Sequence, residues 1–145
     1  MTDSRWRAVV PALLAVATVS CGSDYRPATP GIVEVTMDEY RFTYDQTVPT
    51  GRVVVRATNA GELDHELLLV AIPEDFDRTL AAQLRSPTKV GFATKALLPR
   101  RGPGEVGEFA TDLEPGRYGF LCFLVDDDGK NHARKGMHSE FRVRA

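Results

Sequence analysis

Cysteine is nearly absent from this sequence: 145 residues contain two, Cys21 and Cys122. A framework of several disulfides, the usual support of small secreted domains with thin cores, is therefore excluded. Histidine and methionine are also scarce, three of each, and the one Trp is Trp6. The mostly apolar run near the N-terminus, Ala8–Ser20, has thirteen residues, short of the roughly 20 needed to span about 30 Å of hydrocarbon. An excess of one charge is missing too, since 18 Lys and Arg face 20 Asp and Glu for a net charge of −2. The two signs are interspersed, so nothing forms the clustered cationic face that phosphate neutralisation requires, and nucleic acid is excluded as a partner. Most enzyme signatures are lacking: no Gly-x-Ser-x-Gly elbow, no phosphate loop, no Gly-x-Gly-x-x-Gly, no Cys-x-x-Cys and no His-Glu-x-x-His.

What is present begins with a signal-like leader. Arg5 and Arg7 precede the apolar run, which ends in Thr18-Val19-Ser20-Cys21, the layout of a signal peptide over residues 1–20 closing on a bacterial lipobox. Cys21 is then the lipidated residue. Thr18 stands where such motifs usually carry Leu, which leaves ordinary cleavage near Ala15-Val16-Ala17 as the alternative. A lipidated Cys21 leaves Cys122 as a lone thiol, although a Cys21–Cys122 bridge remains open. Residues 21–30 read as a polar, Pro-containing tether. With 43% hydrophobic and 26% charged residues overall, residues 31–145 have the composition of one globular domain.

Short β-rich runs recur through that domain: Ile32–Met37, Tyr40–Tyr44, Arg52–Thr58, Glu66–Ile72, Glu105–Leu113, Arg117–Val125 and Glu140–Arg144. Turn signals such as Pro49-Thr50-Gly51, Asn59-Ala60-Gly61 and Glu114-Pro115-Gly116 separate them. Alternation such as Val53/Val55/Ala57 against Val54/Arg56/Thr58 marks half-buried antiparallel strands. The spacing of Phe76, Leu80 and Leu84 predicts a helix over Glu74–Leu84, with Arg85–Gly104 irregular after it. The fold class is mostly β: a two-sheet sandwich with one inserted helix.

The residues able to carry chemistry are few: His65, Cys122, His132, Met137 and His138. Singly, each has an ordinary reading as a satisfied histidine, a buried core thiol or apolar filler. The run Asp126-Asp127-Asp128-Gly129 reads as a solvated acidic turn. Jointly, one thiolate, two imidazoles and one thioether form the donor set of a blue-copper centre, and a set that compromises between Cu(I) and Cu(II) lowers the rearrangement accompanying electron transfer. Zinc accepts His and Cys, but Met suits it poorly.

Three segments carry a resemblance: Asn59-Ala60-Gly61-Glu62-Leu63-Asp64-His65, then Leu113-Glu114-Pro115-Gly116-Arg117-Tyr118-Gly119-Phe120-Leu121-Cys122, then His132-Ala133-Arg134-Lys135-Gly136-Met137. In these the chain resembles the plastocyanin/azurin family of cupredoxins over residues 31–145. The resemblance implies a cupredoxin-like Greek-key sandwich holding one copper ion through His65, Cys122, His132 and Met137, with His132 the more exposed ligand. His138 follows Met137 in a strand and falls outside the ligand set. Nine residues separate Cys122 from His132, a longer loop than the familiar small cupredoxins have. Implied too are electron transfer without catalysis, exchange with membrane-associated or periplasmic redox proteins, a monomer, and an exported chain anchored at Cys21. Copper capture and delivery, or a metal-free binding lipoprotein, are the competing functions.

Overall fold

The computed structural model describes residues 29–45 and 47–145. The leader, Cys21 and nearly all of the tether lie outside the described residues. No helix among those described is long and apolar enough to cross a membrane.

Ten elements follow Thr29 and Pro30: β1 Gly31–Asp38, β2 Arg41–Tyr44, β3 Gly51–Asn59, β4 His65–Ile72, α1 Leu80–Arg85, β5 Ala93–Arg101, β6 Val106–Leu113, β7 Gly116–Leu121, α2 His132–Lys135 and β8 His138–Val143. They make two four-stranded sheets, ordered β2-β1-β3-β6 and β5-β4-β7-β8. All pairings are antiparallel except β1 with β3, which run parallel from Gly31 opposite Val53 to Met37 opposite Asn59. The alternation read in the sequence is the cause of the sandwich. Val33, Val35 and Met37 of β1 and Val53, Val55 and Ala57 of β3 turn inward against Leu67, Leu69, Phe120, Phe141 and Val143 of the other sheet. Each large side chain so buried contributes about 1.5–3 kcal/mol.

The second sheet is covered on its outer face as well. Val70, Ile72 and Leu121 pack there against Leu80 and Leu84 of α1 and Ala133 of α2, so β4 reads as a nearly continuous apolar run from Leu67 to Ile72 rather than an alternating one.

Two expectations need correction. The inserted helix is shorter than Glu74–Leu84: it begins at Leu80, where the Thr79 hydroxyl caps the Ala82 N–H at 3.1 Å. Glu74 is drawn away to Arg142 at 3.0 Å rather than serving the helix dipole. Secondly, the stretch expected to be irregular contains β5. This strand lies at a sheet edge, where Pro99 costs no interior ladder bond, and apart from Leu98 its side chains are not buried, so it carries no apolar pattern. A second, one-turn helix, α2, also forms. Asn131 caps it by accepting from the Arg134 N–H at 2.9 Å, and Gly136 ends it at φ 124°.

Candidate metal centre

The site lies at one end of the sandwich, where the chain entering β4 meets the chain leaving β7. Asn59, the last residue of β3, is fully buried and has every polar atom satisfied. Its amide nitrogen donates to the carbonyls of Leu63 at 2.8 Å and Arg101 at 2.9 Å, and its side-chain oxygen accepts from the Gly61 N–H at 3.0 Å. One side chain thereby folds the turn 60–64 and ties it to the end of β5. Glu39, on the β1–β2 turn, presses on the same segment and accepts from the N–H groups of Glu62 at 2.6 Å and Leu63 at 3.1 Å. The Leu63 N–H foremost, against burial and helped by Glu62, holds the Glu39 carboxyl at about 2. A Cβ at 61 would stand 2.3 Å from a Glu39 oxygen, so a larger residue there would displace that carboxylate. The turn delivers His65 to the first position of β4 with no exposed surface.

Cys122 follows the last residue of β7 and is equally buried. Its backbone leaves the sheet ladder: its N–H donates to the Met137 carbonyl at 3.2 Å and its carbonyl accepts from the Ala133 N–H at 2.7 Å. For this reason the seventh strand stops at Leu121 instead of continuing to Val125. Glu66 ties the thiol to β4, its N–H facing Sγ at 3.5 Å while its carboxylate accepts from the Phe123 N–H at 2.9 Å. The excursion that follows closes as a small hairpin, with Val125 bridged to Asn131 and Gly129 at φ 74°. It returns the chain to His132 at the start of α2.

The structure brings His65, Cys122 and His132 together, their ligand atoms lying within 4.8 Å of one another. His65 Nδ1 is 3.2 Å from His132 Nδ1, and Cys122 Sγ is 3.4 Å from that same nitrogen. For a first-row ion bonded at about 2.0 Å to imidazole and 2.3 Å to thiolate, trigonal donors stand about 3.5 Å apart, so the spacing suits a metal. Met137 is fully buried one residue before β8, and its N–H donates to the His132 carbonyl at 2.9 Å. The four residues named from the sequence therefore occupy one neighbourhood, joined through the backbones of Cys122, His132 and Met137. His138 stands apart, its Nδ1 against the Ala133 carbonyl at 2.9 Å.

Electrostatics follow from burial. Desolvation, and after it the neighbouring His132, push His65 below its ordinary value, while Glu39 opposes. The imidazole is thus neutral, with a lone pair to donate. Burial pushes the Cys122 thiol up, against the N–H groups of Glu66 and Leu124; a bound cation would supply the stabilisation that a thiolate lacks here. His65 Nε2 is buried without a hydrogen-bond partner among the described residues, 3.7 Å from Glu39 Oε1. A buried pair of imidazoles beside a thiol is costly to leave unused, and these donors fit a soft or borderline ion.

The acidic turn is not simply solvated. Asp126 Oδ1 lies 2.8 Å from His132 Nε2, and its other oxygen accepts from Tyr40 Oη at 2.8 Å and Lys135 Nζ at 2.5 Å. Lys135 first, then Tyr40 and His132, hold the Asp126 carboxyl well below the usual range. Lys135 is therefore tied to Asp126 and Asp128, and Lys130 to Asp128, while Arg134 stands outside these pairs. His132 retains 2% exposure against none for His65. Sequence reasoning missed Glu39, Tyr40 and Asp126 as parts of the site; Asn131, a capping residue just before His132, was the available signal that the loop ends in a helical turn.

No protein-family model and no curated protein matches the sequence. Solved structures do resemble the fold. Dithionite-reduced auracyanin from Roseiflexus castenholzii superposes with a TM-score of 0.55 at 23% identity, over 81% of this chain and 99% of that one. Auracyanin A from Chloroflexus aurantiacus, described as a "blue" copper protein, gives 0.54 at 19% identity over 80% and 100%. Rusticyanin from Thiobacillus ferrooxidans gives 0.52 at 15% over 80% and 79%. The fold is thus the cupredoxin-like sandwich.

Proposed function

We propose that this chain is a copper protein that passes single electrons, cycling between Cu(I) and Cu(II) at His65, Cys122 and His132 with Met137 as a weak fourth donor. The observation that carries the reading is the burial of one thiol and two imidazole nitrogens, 3.2–3.4 Å apart around His132 Nδ1, in a sandwich of cupredoxin type. Neutral imidazoles and a thiolate would hold the ion, and the hydrogen-bonded backbone around Cys122 and the capped turn at Asn59 would keep the donors in place through both oxidation states. No general acid, base or nucleophile is needed, so the protein works as an electron carrier rather than an enzyme. Its partners are redox proteins of the membrane or the periplasm, met by the monomer after export and anchoring through Cys21.

Titration of purified protein with Cu(II), followed by ascorbate and reoxidation, tests the assignment. One equivalent of copper with an intense visible thiolate band that bleaches and returns is the expected result. Copper that binds only as Cu(I) and leaves on oxidation would point to delivery, and no band at all to a metal-free binding protein. Mass spectrometry of the native protein tests the anchor: a lipid-modified N-terminus at Cys21 is expected, and an unmodified N-terminus upstream of Gly31 in the soluble fraction would overturn it.

A further inference from the structure

We propose that Asp126 is a positioning residue for the copper centre: it fixes His132 with its proton on Nε2 and its Nδ1 lone pair toward Cys122 and His65, and its negative charge lowers the reduction potential. This rests on the copper reading above. A neutral imidazole carries a single N–H. The carboxylate 2.8 Å from Nε2 is an acceptor that claims that hydrogen, so the lone pair is left on Nδ1, which faces Sγ at 3.4 Å and His65 Nδ1 at 3.2 Å. An anionic acceptor behind a ligating imidazole also makes the ring a stronger donor, which favours the more highly charged Cu(II).

The carboxylate is itself immobilised. Its second oxygen takes Tyr40 Oη at 2.8 Å and Lys135 Nζ at 2.5 Å, and Lys135 is braced by Asp128 at 3.0 Å. Tyr40 grips the ring as well, standing edge-on to His132 with centroids 5.3 Å apart, while Lys135 lies 5.2 Å above the Tyr40 ring. Among the described residues Tyr40 is the single non-glycine with positive φ, at 58°, an uncommon backbone conformation held where the surroundings impose it. His65 has no equivalent bond: Glu39 is 3.7 Å from its Nε2, beyond hydrogen-bonding distance. The two imidazoles are therefore held unequally, His132 by a hydrogen bond to a carboxylate and His65 by packing.

Asp126→Asn keeps an oxygen acceptor of similar shape and removes the charge, whereas Lys135→Met leaves the carboxylate and removes its counter-charge. The copper-loaded proteins are compared by voltammetry, and imidazole nitrogen NMR of the Cu(I) forms reports the His132 tautomer. In Asp126→Asn the copper and the visible band stay and the potential rises, a roughly tenfold gain in Cu(I) over Cu(II) affinity corresponding to about 59 mV for one electron. In Lys135→Met the potential falls. A role confined to holding the loop would move both variants the same way or neither, and either result overturns the proposal, as does a wild-type His132 protonated on Nδ1. A wild type that binds no copper would remove the copper reading and this inference together, whereas a copper-loaded wild type with unresponsive variants would remove the inference alone. Should one variant fail to fold, the sign of the other's shift decides.

Discussion

The segments Asn59–His65 and Cys122–Met137 each bring a histidine to one buried point, and they are built differently. In the first, a short turn is folded chiefly by a buried side chain, Asn59, with three hydrogen bonds inside the span or to β5, and is clasped from outside by the Glu39 carboxylate. The second takes nine residues to travel from Cys122 to His132, and is stabilised from outside itself by Tyr40 and from within by the ion pairs of Asp126, Asp128 and Lys135. Neutral hydrogen bonds buried in a tight turn are specific and insensitive to salt, while ion pairs that reach solvent, as Lys135 with Asp128 does, are partly screened. The difference suggests a division of labour, in which the first arm supplies fixed geometry and the second supplies the thiolate, the thioether and the charge that tune the metal.

Removing the thiol breaks the comparison most severely, because it empties the second arm of its anionic donor. Cys122→Ser is expected to abolish the visible band and most copper affinity, since a hydroxyl is not ionised near neutral pH, while the protein still folds. Absorption spectra and copper content check this. Asn59→Ala strikes the first arm instead: it leaves the Leu63 and Arg101 carbonyls and the Gly61 N–H without their partner. A loss of about 2–3 kcal/mol in chemical denaturation of the metal-free protein is expected, with copper affinity falling alongside. An unchanged midpoint would mean that the turn holds itself.

Met137→Leu sharpens the contrast within the second arm. If the thioether is a weak axial donor, copper and colour stay and the potential rises, for less than about 1.5 kcal/mol of stability. Voltammetry at matched copper content reads it, and an unchanged potential would leave a three-donor centre. The smallest effect is expected outside both arms. Burial would raise the Glu140 carboxyl, but the Leu80 N–H at 2.9 Å and Arg117 at 2.6 Å outweigh it and hold it below its ordinary value. Its stabilising contribution is thus full above its unfolded value of about 4.3 and is lost as pH falls through the lower folded value. Glu140→Gln should flatten the acid limb of the stability curve below about pH 4.3 while leaving copper binding alone. Denaturation midpoints across that limb measure it.

Seven strands were legible because their signals are local, and three of the residues singled out, His65, Cys122 and His132, are ones the fold brings together. β-rich runs bounded by turn signals marked β1 to β4 and β6 to β8, and one thiol with two imidazoles and a thioether is a rare combination. Three parts were not. β5 is an edge strand whose buried residue, Leu98, is too little to make a pattern. The helical periodicity of Phe76, Leu80 and Leu84 was real as an apolar face, but the first of these packs against Phe92 from an irregular segment, so the period overstated the helix. Asp126 was hidden by its neighbours: Asp127 and Asp128 are exposed as an acidic turn should be, and the partners that draw Asp126 inward include Tyr40, 86 residues away.

The central claim is that copper sits between Cys122 and the two histidines. X-ray absorption at the copper edge of the loaded protein tests it most directly: one short sulfur and two nitrogen neighbours are expected, with the sulfur lost in Cys122→Ser. A first shell of nitrogen and oxygen alone, unchanged by that substitution, would place the metal elsewhere.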